Sequence, residues 1–77
     1  MEFSKKIIGE RIKLLRTERG LLAKEIAGYL GFAKSSISQI EHGLHAPELT
    51  TLFSLANYFD VSVDYILGRT DKREINR

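Results

Sequence analysis

Four glycines divide this chain. Gly20, Gly31, Gly43 and Gly68 each close a stretch in which apolar residues recur at helical spacing, and no stretch alternates long enough to form a strand. Glycine enters the left-handed backbone conformation without a Cβ penalty, so it is well suited to the position just past a helix end. A chain divided in this way is restricted to short helices with short connections. That pattern predicts an all-α fold, a small bundle with short connections.

The first helix is predicted from about Ser4 to Arg19, with Ser4 as N-cap and Ile8, Ile12 and Leu15 turned inward. The second runs from about Ala23 to Leu30 with Ile26, Ala27 and Leu30 inward, and the third from about Lys34 to His42 with Ile37 and Ile40 inward. "LHAPEL" is a loop, and Pro47, the only proline, is placed at the start of a fourth helix that ends near Tyr58. Leu49, Leu52, Phe53, Ala56 and Phe59 are its expected inward residues. Ser62 caps a last turn or two, "VDYILG", in which Val63 and Ile66 complete the core. The reading divides the chain into one domain, residues 1–68, and a charged tail, residues 69–77, that is expected to fray.

With 77 residues there is room for one small core. The absence of cysteine excludes a disulfide framework and thiolate metal ligands, and fits a cytoplasmic location. No apolar run approaches the ~18 residues of a membrane span, and the start "MEFSKKII" lacks the apolar core of a signal peptide. A net charge of +2 permits nucleic-acid binding without demonstrating it. Nothing points to an enzyme or a cofactor. There is no nucleophile–base pair, and "GLLAKEIAG" lacks the Gly-Lys-Ser/Thr of a phosphate-binding loop.

"AKEIAGYLGFAKSSISQI", Ala23 to Ile40, is more specific. It pairs two short helices across a tight glycine turn, with the small Ala27 where they would cross. Together with "IGERIKLLRTERGL" and "PELTTLFSLANYFDVSVDYILGRTD", this stretch resembles the Cro/C1-type (XRE-like) helix-turn-helix repressors of phages and bacteria, over roughly Ile8 to Asp71. The resemblance implies a five-helix domain, a homodimer in most members, that binds double-stranded operator DNA and regulates transcription. The second helix of the pair, within about residues 23–42, would lie in the major groove.

Carried onto this chain, the base-reading positions are Ala33, Lys34, Ser35, Ser38 and Gln39. The chemistry agrees with that role. Gln bonds adenine bidentately, Lys bonds guanine acceptors, and Ser serves a base or a phosphate. The resemblance also pairs Glu41 with Arg16, as a structural ion pair that fixes the first helix against the third. Candidates for phosphate are Lys13, Arg19, Lys24, Ser36, His42, the amides near Gly43, and His45.

The chain departs from the family pattern at Leu22 and Ala23, where a Ser or Thr cap and a Gln are usual. It departs again at Ala33, at His42, and at Leu44 and His45 in a loop that is often basic. Fewer phosphate contacts would weaken binding and flatten its salt dependence. The exposed Leu22, Ala23 and Leu44 support a second reading, in which the same fold is a protein-interaction module, an antitoxin or an antirepressor partner with little DNA affinity. His42 and His45 could gain charge in mildly acidic buffer and tighten DNA binding. With Gly43 between them and Glu41 already assigned, they are a poor metal site. Tyr58, Tyr65 and Leu67 are the candidate dimer surface.

Overall fold

A computed structural model describes residues 4–75. Among them the chain forms five helices and no strand: α1 (Lys5–Glu18), α2 (Ala23–Leu30), α3 (Lys34–Glu41), α4 (Leu49–Phe59) and α5 (Val63–Leu67). None is long and apolar enough to cross a membrane.

Each of these helices ends in the same way. A residue with positive φ follows, its N–H returns to a carbonyl three residues back, and the next N–H reaches five back. At α2 the two bonds are Gly31 N–H to Gly28 O, 3.3 Å, and Phe32 N–H to Ala27 O, 2.8 Å. This double closure satisfies carbonyls that a helix end would otherwise leave without partners. Glycine holds the position after α1, α2, α3 and α5, whereas Asp60, at φ 54°, holds it after α4.

The N-termini fall into two groups. The hydroxyls of Ser4 and Ser62 accept from the amides of Ile7 and Tyr65 at 3.2 and 3.0 Å. Leu22, Ala33 and Glu48 precede α2, α3 and α4 with no side-chain cap. Only Glu25 partly compensates, its carboxylate accepting from the Leu22 amide at 3.2 Å.

Ile12, Ile26, Ile37, Leu55, Phe59 and Ile66 form the fully buried centre, with Ile8, Leu15, Ala27, Ile40, Leu52 and Ala56 around them. The first three helices use the inward residues their spacing predicts, Leu30 packing at the rim. The fourth helix corrects the sequence reading. Leu49 and Phe53 are 67% and 52% exposed, and Leu55, absent from the expected inward set, is fully buried. The helix also begins two residues after Pro47, with Glu48 as its N-cap.

The tail is a second correction. Rather than fraying, residues 69–75 run back against α1 and α5. The Ser62 amide donates to Arg73 O at 2.8 Å, and its hydroxyl to Lys72 O at 3.3 Å. Arg11 donates to Tyr65 O, Thr70 O and the Asp71 carboxylate at 2.9–3.0 Å. Arg73 makes a bidentate pair with Glu18 at 2.8 and 2.9 Å. The predicted tail residues Asn76 and Arg77 lie outside the described residues.

Candidate nucleic-acid interface

The third helix is amphipathic with an uncharacteristic outer side. Ile37 and Ile40 are buried, and Ala33, Lys34, Ser35 and Gln39 are exposed, with Ser38 half-buried beside them. No carboxylate of α3 lies on this side. Its one acidic residue, Glu41, is turned away into the pair with Arg16.

In that pair the guanidinium donates two hydrogen bonds to the carboxylate, Nε to Oε2 at 2.7 Å and Nη2 to Oε1 at 3.0 Å. The remaining Arg16 amino group donates to Leu21 O at 2.8 Å, so one side chain joins α1, the α1–α2 turn and the end of α3. The side chains are only 15% and 5% exposed. The hydrogen bonding to Glu41 holds the Arg16 guanidinium above its ordinary range, against the opposing effect of burial.

A contact that sequence reasoning missed supports the same junction. At Gly9 of α1, an added Cβ would overlap the Ile40 carbonyl oxygen and lie 2.7 Å from that of Glu41. The backbones of α1 and α3 meet here, and only glycine permits it. The helical spacing of Ile8 and Ile12 carries no signal of this approach.

The predicted phosphate residues separate. Lys13 and Lys24 are exposed, and among the described residues no lysine makes an ion pair; the four ion pairs found all use arginine. Arg19 differs from the expectation. Its guanidinium donates to Tyr58 O and Phe59 O at 3.2 and 2.6 Å and lies over the Phe59 ring at 5.3 Å. It therefore caps the carbonyl end of α4, where a cation is favoured. The Gly43 amide is also engaged, donating to Ile40 O at 3.1 Å, and the Leu44 amide donates to Gln39 O at 2.9 Å. Neither of these two amides is available to a phosphate.

His42 is exposed, and its Nδ1 lies 2.7 Å from Ser38 O. A carbonyl only accepts, so Nδ1 carries the proton and Nε2 points outward. Ser36 and His45 line an open hollow of about 290 Å³ beside α3, with Phe32, Gln39, Pro47 and Thr51. Leu22 and Leu44 are exposed, while Ala23 is partly buried against the core.

The proposed dimer residues are mostly inside the protomer. Tyr65 is 5% exposed, with the guanidiniums of Arg11 and Arg73 over its ring at 4.3 and 5.1 Å. Tyr58 and Leu67 pack against the core, Tyr58 in ring contact with Tyr29 and Phe59. Apolar spacing could not distinguish Tyr65 and Leu67 from surface residues, because α5 is too short to have a clear second side.

The helix-turn-helix family profile matches residues 12–66. The uncharacterized HTH-type transcriptional regulator YobD of Bacillus subtilis strain 168 is 44% identical over 62 residues, covering 80% of this chain and 55% of its own length. This chain thus spans about half the length of the curated relatives it matches. Among solved structures, the biofilm master regulator SinR in complex with DNA is 41% identical with a TM-score of 0.70, over 78% of this chain and 97% of that one. The restriction-modification controller protein C.AhdI from Aeromonas hydrophila is 26% identical with a TM-score of 0.73, over 80% and 94%.

Proposed function

The chain belongs to the helix-turn-helix family of the Cro/C1 type, and from that premise we propose that it is a sequence-specific, double-stranded DNA-binding transcriptional regulator of the repressor type. The observation that carries the reading is the outer side of α3. Lys34, Ser35 and Gln39 are exposed, make no side-chain bond to the described protein, and have no carboxylate of α3 beside them. Glutamate and lysine would solvate such a helix better; small neutral donors with one lysine suit base edges.

In this reading α3 enters the major groove, with Ala33 against a thymine methyl and Lys34, Ser35, Ser38 and Gln39 on base edges. Lys13, Lys24, Ser36, His42 and His45 meet phosphates. The uncapped starts of α2 and α3 leave amide donors that a phosphate would satisfy. Arg16 and Glu41 hold α3 in place without touching DNA. Two copies bind as a homodimer in the cytoplasm, reading half-sites about one DNA turn apart. Residues 1–68 are the binding domain, with 69–77 an appended segment whose described part, residues 69–75, is strapped to it. The chain acts by occupancy and not by catalysis.

The test is a salt titration of binding to pooled random duplexes, with sequencing of the retained DNA. A two-fold-symmetric motif and affinity that falls steeply with salt are expected. The changes Lys34→Ala and Gln39→Ala should each lower affinity for that motif by about 10- to 100-fold and non-specific affinity much less. Absence of any enriched sequence overturns the reading. It would favour the protein-interaction alternative, which the exposed Leu22 and Leu44 support.

A further inference from the structure

The hollow beside α3 has a polarity that contact with DNA does not explain. Its volume is about 290 Å³, and Phe32, Ile40, Ala46 and Pro47 give it an apolar lining. Ser36, Gln39, His45, Glu48 and Thr51 complete it with polar groups. A few polar groups converging on an apolar surface are the general make-up of a small-molecule site, and a cavity of ~150 Å³ already admits a benzene ring. Phe32 is 41% exposed, so part of its ring is free to be covered.

Two of the polar residues have no part in the operator reading. Thr51 is the one buried polar residue among those described, at 7% exposure. A helical threonine commonly returns its hydroxyl to a carbonyl three or four residues back. The Thr51 hydroxyl makes no hydrogen bond to the described protein, yet no side-chain oxygen or nitrogen there is sealed from solvent without a partner. Its opening is therefore the hollow that Thr51 lines. Glu48 is the second. It stands at the N-cap of α4, where its carboxylate accepts from no helix amide, and it belongs to none of the four ion pairs among the described residues. It is the only carboxylate lining the hollow. A free carboxylate near Ser36 and His45, both assigned to phosphates, repels DNA. The same carboxylate suits a cation.

We propose that this hollow binds a small aromatic monoamine, its ring against Phe32 and Pro47 and its ammonium donating to the Glu48 carboxylate and the Thr51 hydroxyl. Glu48 and Thr51 are three residues apart, so they share one side of the helix start. A ring covers the exposed part of Phe32. An ammonium carries three donors, and its bond to a carboxylate is charge-assisted. The occupant also borders Ser36, Gln39 and His45, which the operator reading turns toward DNA. Amine and operator therefore exclude one another, and the amine acts as an inducer. That last step rests on the operator reading above; the amine site itself does not.

The experiment is an amide NMR titration of the 77-residue chain with phenethylamine and, separately, with phenylethyl alcohol, which has the same ring without the ammonium. Phenethylamine should shift the amides of Ser36, Gln39, Ala46 and Thr51 and saturate at millimolar concentration. The alcohol should bind at least about tenfold more weakly, as loss of a hydrogen bond to a charged group implies. Glu48→Gln and Thr51→Val should both keep wild-type circular dichroism, and Glu48→Gln should weaken the amine by at least about tenfold, Thr51→Val by less. Absence of saturable shifts, shifts confined to another surface, equal binding of the alcohol, or unchanged affinity in either variant overturns the proposal. On the selected duplex at fixed ionic strength, phenethylamine at about ten times its Kd should lower DNA affinity about tenfold, as mutual exclusion requires. DNA affinity unchanged by bound amine overturns the inducer role. If no duplex is bound at all, the operator reading fails, and the titration still decides the amine site.

Discussion

Two bidentate arginine–glutamate pairs leave α1 in different directions, and they have different consequences. Arg16–Glu41 joins α1 to the end of α3, with the carboxylate side chain only 5% exposed. Arg73–Glu18 joins the tail to α1 with both side chains about two-fifths exposed. The bonds are of nearly equal length. Their surroundings differ, and in a water-poor site a broken pair leaves a charge that nothing else solvates. At the surface, water replaces either partner at little cost. The same pair of groups is therefore a structural bolt at one junction and a latch at the other.

The sharpest way to break this comparison is Glu41→Ala. It strands the Arg16 guanidinium in a site with little water, and we expect ~3–5 kcal/mol of lost stability in urea unfolding. A loss below ~1 kcal/mol would mean that the two junctions are equivalent after all. Gly9→Ala comes next. Its Cβ meets the carbonyls of Ile40 and Glu41, so α1 and α3 must move apart, at ~1–3 kcal/mol by the same measurement. Unchanged stability would show that this contact is loose. Arg73→Ala tests the latch. Global stability should fall by no more than ~1 kcal/mol, while hydrogen exchange of the Ser62 amide, bonded to Arg73 O, speeds up.

The smallest expected effect is one of pH. The hydrogen bond from Arg73 holds the Glu18 carboxyl below its usual range, with the nearby positive charges of Arg73 and Arg19 adding to it. A depressed carboxylate stabilises the folded form above its unfolded-state pKa and loses that contribution as pH falls through the folded-state value. The Ser62 amide should therefore exchange faster, relative to a buried α1 amide, as pH drops below the ordinary carboxylate range. A ratio that stays flat with pH would show that the strap does not depend on this pair.

The first three helices and the family were legible because their signals are local. Glycines mark the ends, apolar spacing marks the inward side, and the α2–α3 pair has a recognisable turn. The fourth helix was harder for a reason visible in its residues. With no charge anywhere, it carries two apolar rows, Leu49–Phe53 and Leu52–Leu55–Ala56–Phe59, and spacing alone does not say which faces in. Its end was hidden because Asp60 takes the place glycine holds elsewhere. The strap was illegible because three of its bonds end on main-chain carbonyls, those of Thr70, Lys72 and Arg73, many residues from their donors, and carbonyls have no sequence signature. Within the candidate interface, the composition of α3 could be read directly. That Arg19 is already engaged depends on three-dimensional closure, whereas the Gly43 amide is taken up by the local helix-end bond to Ile40 O.

The chain contains no tryptophan, so its near-ultraviolet signal comes from three tyrosines and four phenylalanines. Tyr65 is the tyrosine held in the core with two guanidinium groups over its ring, one of them supplied by the strap. Its absorbance and circular dichroism bands therefore respond both to core packing and to the seating of Arg73. Detachment of the strap can be followed optically in the unlabelled protein, as a change in tyrosine dichroism that precedes the loss of helical signal.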